Sequence, residues 1–180
     1  MPSPALEAST RARRLQDSLE LHCRPPQDLA PGRLDEIEAL VLGGRAVDPG
    51  YVRHNLERAH LIAYALFGQR VVATVSLKHP RAEYVERLLR RTGLDLSGYL
   101  ERGYTSVHPD FRGQGLGTRL VDHLTRQADG RRIYVVIALD NLAAQAISRR
   151  CGTKLAAQFL SHATGQEYGI WIQQALPEQA

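Results

Sequence analysis

The stretch Thr105–Leu124, TSVHPDFRGQGLGTRLVDHL, is the most informative in the chain. An extended run reaches His108-Pro109, and glycines follow at 113, 115 and 117. Gly117, Leu120, Val121 and Leu124 then repeat at i, i+3, i+4 and i+7, the spacing of one helix face. Strand, glycine loop and helix start in that order make a cradle for a phosphate. Glycines let the backbone approach an anion, and the first helical turn offers unpaired N–H groups at its positive end. Arg112 adds a charge. The dinucleotide fingerprint requires GxGxxG, whereas this loop reads GxGxG from Gly113. The P-loop requires GxxxxGK[ST], and this loop has no lysine.

Downstream, Ile133–Leu139 (IYVVIAL) is apolar at every position, so the strand it predicts has both faces covered. Asp140-Asn141 caps a helix that runs to Cys151 and stops at Gly152. Strands at about 154–161 and 167–174 follow, joined by His162–Gln166. Upstream, Tyr99–Val107 reads as a strand and about 82–91 as a short basic helix. Leu61–Phe67 and Arg70–Lys78 form a hairpin across Gly68-Gln69. Asp48-Pro49 opens a helix to about His60, and Pro31 opens another through Leu34, Ile37 and Val41 to Gly43-Gly44. Leu19–Arg24 alternates as a strand. The order β, α, α, β, β, α, β, α, β, α, β, β defines an α/β fold: a mixed central sheet of about 6–7 strands flanked by helices. Residues 1–18 read as a flexible tail and 19–180 as a single domain.

Composition narrows the partners. The chain has 180 residues and a net charge of +4, too mild for a nucleic-acid surface. Its longest apolar runs have seven residues, far short of a membrane span. Two distant cysteines, Cys23 and Cys151, fit a reducing cytoplasm better than a disulfide framework. The seven histidines show no HExxH and no i, i+4 pair, so no metal is expected.

Val107-x-Pro109-x-x-Arg112-Gly113-x-Gly115-Leu116-Gly117 resembles the pyrophosphate loop of the Gcn5-related N-acetyltransferases, the GNAT family. Asn141-x-x-Ala144-x-x-Ile147, with Gly152, resembles that family's second acetyl-CoA motif. The resemblance covers Leu19 to Gln173 and implies the GNAT fold, with acetyl-CoA as acyl donor and no metal. It also implies a gap between the strand ending at Val107 and the strand Ile133–Leu139, in which the pantetheine arm lies. Main-chain groups of Ser106 and Val107 would pair with that arm. Arg112 and the backbone of Gly113, Gln114, Gly115, Leu116, Gly117 and Thr118 would hold the pyrophosphate. Asn141 would contact the pantetheine, and the small Ala144 would leave room for it.

The implied reaction is acetyl transfer to a primary amine by direct attack in a ternary complex. Glu101 stands where the family often keeps its base, with His108 a second candidate. Strand alternation places Glu101, Gly103, Thr105 and Val107 on one face. Ser148 occupies the position where the family commonly has the tyrosine that protonates the departing thiolate; Tyr104, Tyr134, Tyr168 or solvent could serve instead. Thr153 likewise replaces a common phenylalanine. The alternative reading is an acyl-CoA-binding regulatory or partner-binding module with little turnover. The acceptor, a small-molecule or protein amine, would be met by about 43–60, 80–98 and 160–168. Homodimers are common in the family, so a homodimer is a further expectation of the resemblance.

Overall fold

The computed structural model describes residues 18–44 and 47–174. The expected tail over residues 1–18 therefore lies outside the described residues except for Ser18. Among the described residues the strands are β1 (Leu19–Arg24), β2 (Ala59–Phe67), β3 (Arg70–Lys78), β4 (Leu100–Val107), β5 (Ile133–Ala138), β6 (Thr153–Ser161) and β7 (Gln166–Gln173). The helices are α1 (Arg33–Gly43), α2 (Pro49–Glu57), α3 (Ala82–Thr92), α4 (Leu116–Gln127) and α5 (Leu142–Arg150). The seven strands form one sheet in the order β1-β2-β3-β4-β5-β7-β6. All neighbours are antiparallel except β4 and β5. The expected mixed sheet flanked by helices is thus present.

Each element forms for a local reason. Asp48 caps α2, its carboxylate accepting from the Gly50 N–H at 3.0 Å, and Pro49 supplies the preset first turn. The helix stops at Glu57, earlier than the sequence suggests, because Ala59 and His60 already belong to β2. Asn141, rather than Asp140, caps α5 by accepting from the Ala144 N–H at 3.0 Å. Asp140 instead accepts from Gln166 Nε2 at 3.1 Å, joining the β5 end to the start of β7.

The core lies on both faces of the sheet. Leu116, Leu120, Val121 and Leu124 of α4 pack on Ala63, Ala65, Val72 and Val75 beneath them. On the opposite face α1 and α2 bury Ile37, Val41, Val52 and Leu56 against Ile62 and Tyr64. Each such fully buried aliphatic side chain contributes roughly 1.5–3 kcal/mol. β5 is covered on both sides as its all-apolar sequence demands: Tyr134 packs with Leu88 of α3, and Val135 and Ile137 with Trp171.

Two irregularities of β4 build the site. It pairs with β5 only at Leu100–Ile133 and Glu101–Tyr134, and from Arg102 onward the two strands part. Against β3, Thr74 faces Ser106 and Ser76 faces Gly103, so Tyr104 and Thr105 together oppose Val75. This is a bulge, with Tyr104 in the left-handed region at φ +54. The bulge corrects the simple alternation expected along the strand. Glu101 and Gly103 lie on the face of Lys78, but Val107 points to the α4 side, where its Cγ2 approaches Gly117.

Candidate active site

The parted strands open a cleft of about 1150 Å³. Ser106, Val107, Arg112, Asn141, Ala144 and Ser148 all line it, so six of the residues singled out from the sequence converge on one space. The glycine loop continues directly from Arg112 at one end. Gly113 and Gly115 both sit at φ +74, a conformation that costs a side-chain-bearing residue about 1–2 kcal/mol. No side chain caps α4. Its first backbone hydrogen bond is from the Arg119 N–H to the Gly115 carbonyl at 3.0 Å, so the amides of Leu116, Gly117 and Thr118 have no backbone acceptor among the described residues. Gly117 allows a close approach: a Cβ there would lie 3.0 Å from Ile147 Cδ1, so α4 and α5 pack tightly beside the cleft at this point.

Arg112 is anchored. Its Nε donates to the Val107 carbonyl at 2.9 Å, fastening the loop to the end of β4. That bond occupies one of the main-chain groups expected to meet a ligand and leaves the Val107 N–H. Asn141 is also partly committed, since its Oδ1 caps α5. Gln114 donates to the Asp110 carbonyl at 3.3 Å, which steadies the loop from within.

Glu101 does not line the cleft described above; it lies at the last paired position of β4 and β5. Its carboxylate is 3.4 Å from Lys78 Nζ, with both side chains largely buried. The same ammonium stands 4.3 Å over the Tyr104 ring, and the Tyr104 hydroxyl accepts from Asn55 Nδ2 at 2.7 Å. Gly103 makes this possible, because a Cβ there would come within 2.9 Å of Lys78 Cε. His108 is held by Arg70, whose Nη2 is 2.7 Å from its Nε2, and by the Asp110 N–H at 3.3 Å.

Of the tyrosines considered for the thiolate, Tyr134 is fully buried and burial pushes its hydroxyl well above the ordinary value. Tyr104 and Tyr168 both line the cleft, and Tyr168 donates to Gln166 Oε1 at 3.1 Å. Sequence reasoning passed over Arg102. It lies on the cleft, 2% exposed, and its Nη2 donates to Ser148 Oγ at 2.6 Å. A signal was available: Arg102 shares inward parity with Leu100, two residues earlier on the same strand. Among the described residues no group of three or more His, Cys, Asp or Glu side chains could hold a metal ion. Nor is any helix there long and apolar enough to cross a membrane.

A parted parallel strand pair ending at a glycine loop and an uncapped helix start defines an acyl-CoA N-acyltransferase fold. Residues 45–153 match the acetyltransferase (GNAT) family, and the chain belongs to that family. The fold is shared with solved structures of low sequence identity. An IAA acetyltransferase from Bacillus cereus ATCC 14579 is 15% identical, with 88% of this chain and 100% of that one covered and a TM-score of 0.63. An acyl-CoA N-acyltransferase from Pseudomonas aeruginosa is 19% identical, over 87% and 100% of the two chains, with a TM-score of 0.64. Arabidopsis thaliana NAA60 in complex with acetyl-CoA is 13% identical, over 87% and 100%, with a TM-score of 0.64. No curated protein matches the chain.

Proposed function

We propose that the chain is an acetyl-CoA-dependent N-acetyltransferase that moves an acetyl group to a primary amine by direct attack in a ternary complex. The observation that carries this reading is the parting of β4 from β5 after Glu101–Tyr134, in a cleft that runs to an uncapped helix N-terminus. The residues present fit the donor. Free strand edges in the gap suit an amide-bearing pantetheine arm, which can pair with the Val107 N–H as a strand would. Gly113, Gly115 and the amides of Leu116, Gly117 and Thr118 suit a pyrophosphate, with the terminal nitrogens of Arg112 beside them. Asn141 has its amide nitrogen left for the arm, and Ala144 keeps the wall low.

Such a site accelerates transfer first by positioning, since the thioester and the amine are held together. The amine must arrive neutral, and Glu101 is the base assigned to take its proton, directly or through water. Its place beside Lys78 and Tyr104, on the face opposite α4 and α5, puts it on the side of α1, α2 and α3, where the acceptor is expected. Both described cysteines are free, in keeping with work in a reducing cytoplasm.

The test has two parts. Acetyl-CoA should bind by calorimetry and raise the melting temperature, and absence of both effects overturns the reading. A panel of primary amines should then release free CoA above the hydrolysis background. One observation favours a second reading, an acyl-CoA-binding module without turnover: Ser148 stands where the family commonly carries a tyrosine. Binding of acetyl-CoA with no amine-dependent CoA release would select that reading.

A further inference from the structure

Arg102 is a buried cation without a counter-charge. Its residue is 2% exposed, and it forms no ion pair among the described residues. Nη2 is bonded to Ser148 Oγ, itself on a residue 2% exposed, while Nη1 is buried with no hydrogen-bond partner. Burying a charge in this way is expensive, and an unmatched guanidinium is normally met by a carboxylate or neutralised. Here burial pushes Arg102 down to about 10, so it remains a cation at neutral pH. The titratable group that acts on it is Cys151, at the end of α5. Burial raises the Cys151 thiol, which is therefore neutral and cancels none of the charge.

The position of this cation is informative. Arg102 is the first β4 residue beyond the last pairing with β5, so it stands at the apex where the strands divide. Ser148 reaches the same cleft from α5. Its Oγ accepts from the guanidinium, so the hydroxyl proton remains available for a second partner. A site with one unpaired guanidinium nitrogen and one polarised hydroxyl is prepared for an anion that appears only transiently.

We propose that Arg102, with Ser148, accepts the negative charge of the departing CoA sulfur. The proposal rests on the acetyltransferase reading above and replaces proton donation by a tyrosine with charge pairing. The amine nitrogen bonds to the thioester carbon, and the C–S bond breaks with its electron pair passing to sulfur. The proton lost by the amine goes to Glu101 or water. The sulfur leaves as a thiolate paired with the guanidinium and hydrogen-bonded by Ser148, and it takes a proton from solvent on release. Stabilising charge that develops in the transition state, with groups already in place, is the most effective use of such a cation.

The direct test titrates the thiol of CoA bound to the wild-type protein by its ultraviolet thiolate absorption, with the desulfo-CoA complex as blank. At pH 7.5 the bound thiol should be shifted towards thiolate, carrying at least about five times the thiolate fraction of free CoA titrated in parallel. A bound thiol that titrates like free CoA overturns the proposal. Arg102→Met should abolish the shift and lower kcat by about 10²-fold, while acetyl-CoA affinity by calorimetry changes less than about threefold. Arg102→Lys should restore part of the shift, and Ser148→Ala, which leaves the cation in place, should keep most of it. If wild type binds no acetyl-CoA, the acetyltransferase reading falls and takes this proposal with it. If it binds acetyl-CoA and leaves the CoA thiol unshifted, only the role of Arg102 falls.

Discussion

Glu101 and Arg102 are adjacent in the chain yet serve opposite faces of β4. Glu101 pairs with Lys78 at 3.4 Å on the face of α1 to α3, and Arg102 donates to Ser148 at 2.6 Å on the face of α5. The two neighbours thus flank the point where β4 leaves β5. The proposed base for the incoming amine and the proposed cation for the outgoing sulfur are separated by a single strand.

Glu101→Gln tests the first half of that division. Loss of a positioned base should lower kcat by about 10²–10⁴-fold with the preferred amine. The acidic limb of the pH–rate profile, where a base must first lose its proton, should disappear. Acetyl-CoA binding should stay within about twofold, because Glu101 does not line the cleft. A variant that keeps wild-type kcat and pH profile would move the base elsewhere.

Gly115→Asp tests the phosphate cradle. Gly115 is the N-cap of α4 at φ +74, a conformation that aspartate tolerates better than most side chains, and the substitution adds a negative charge at the helix start that repels a bound pyrophosphate. At 100 times Kd, acetyl-CoA should stabilise the wild type by about 2.7 kcal/mol. For a chain of this size that is about 5–10 °C in melting temperature. The variant should fold and show no such rise; an undiminished rise would place the pyrophosphate elsewhere.

Much of this was legible in the sequence because glycines, prolines and apolar periodicity act locally. The loop from Arg112 to Gly117 announces a turn, a close approach and a helix start within six residues. The all-apolar β5 announces a strand covered on both faces. The bulge at Tyr104 was not legible, because nothing in a tyrosine's chemistry asks for a positive φ. It is held there by Asn55, 49 residues away, and by the Lys78 ammonium over its ring. Arg102 was obscured for a similar reason: an arginine on a strand reads as surface until the partner strand and α5 are seen to enclose it. The commitments of Arg112 to Val107 and of Asn141 to α5 also depend on geometry that spacing alone does not supply.

The cysteines give a pH-dependent expectation. Burial raises Cys23 to about 11, partly opposed by Arg24, and raises Cys151 as well. An acid raised on folding keeps its proton longer in the native state, so Cys23 withdraws stability as pH climbs from about 9 towards 11. At pH 8 its thiolate is scarce, and alkylation by iodoacetamide should run at least about tenfold slower in the native protein than in urea. Equal rates in both states would contradict the burial of these thiols.

The cost of holding Arg102 in place should itself be measurable. Its folded value of about 10 lies below the ordinary 12.5, so between those limits the unfolded chain binds more protons and native stability rises with pH. Below about pH 10 the penalty is present in full, including at neutrality. Removing the guanidinium alone would strand the Ser148 hydroxyl, a buried group worth about 1–3 kcal/mol when unpaired. The Arg102→Met, Ser148→Ala double variant removes both polar groups while keeping most of the stem's volume. Replacing buried charge by packed apolar groups is commonly neutral or stabilising by about 1–4 kcal/mol. The double variant should therefore melt at least about 2 °C higher than wild type at pH 7, and the gain should shrink above pH 10. A site that lowers stability at neutral pH and is silent structurally is one kept for its chemistry. A lower melting temperature would instead make Arg102 a structural tie between β4 and α5.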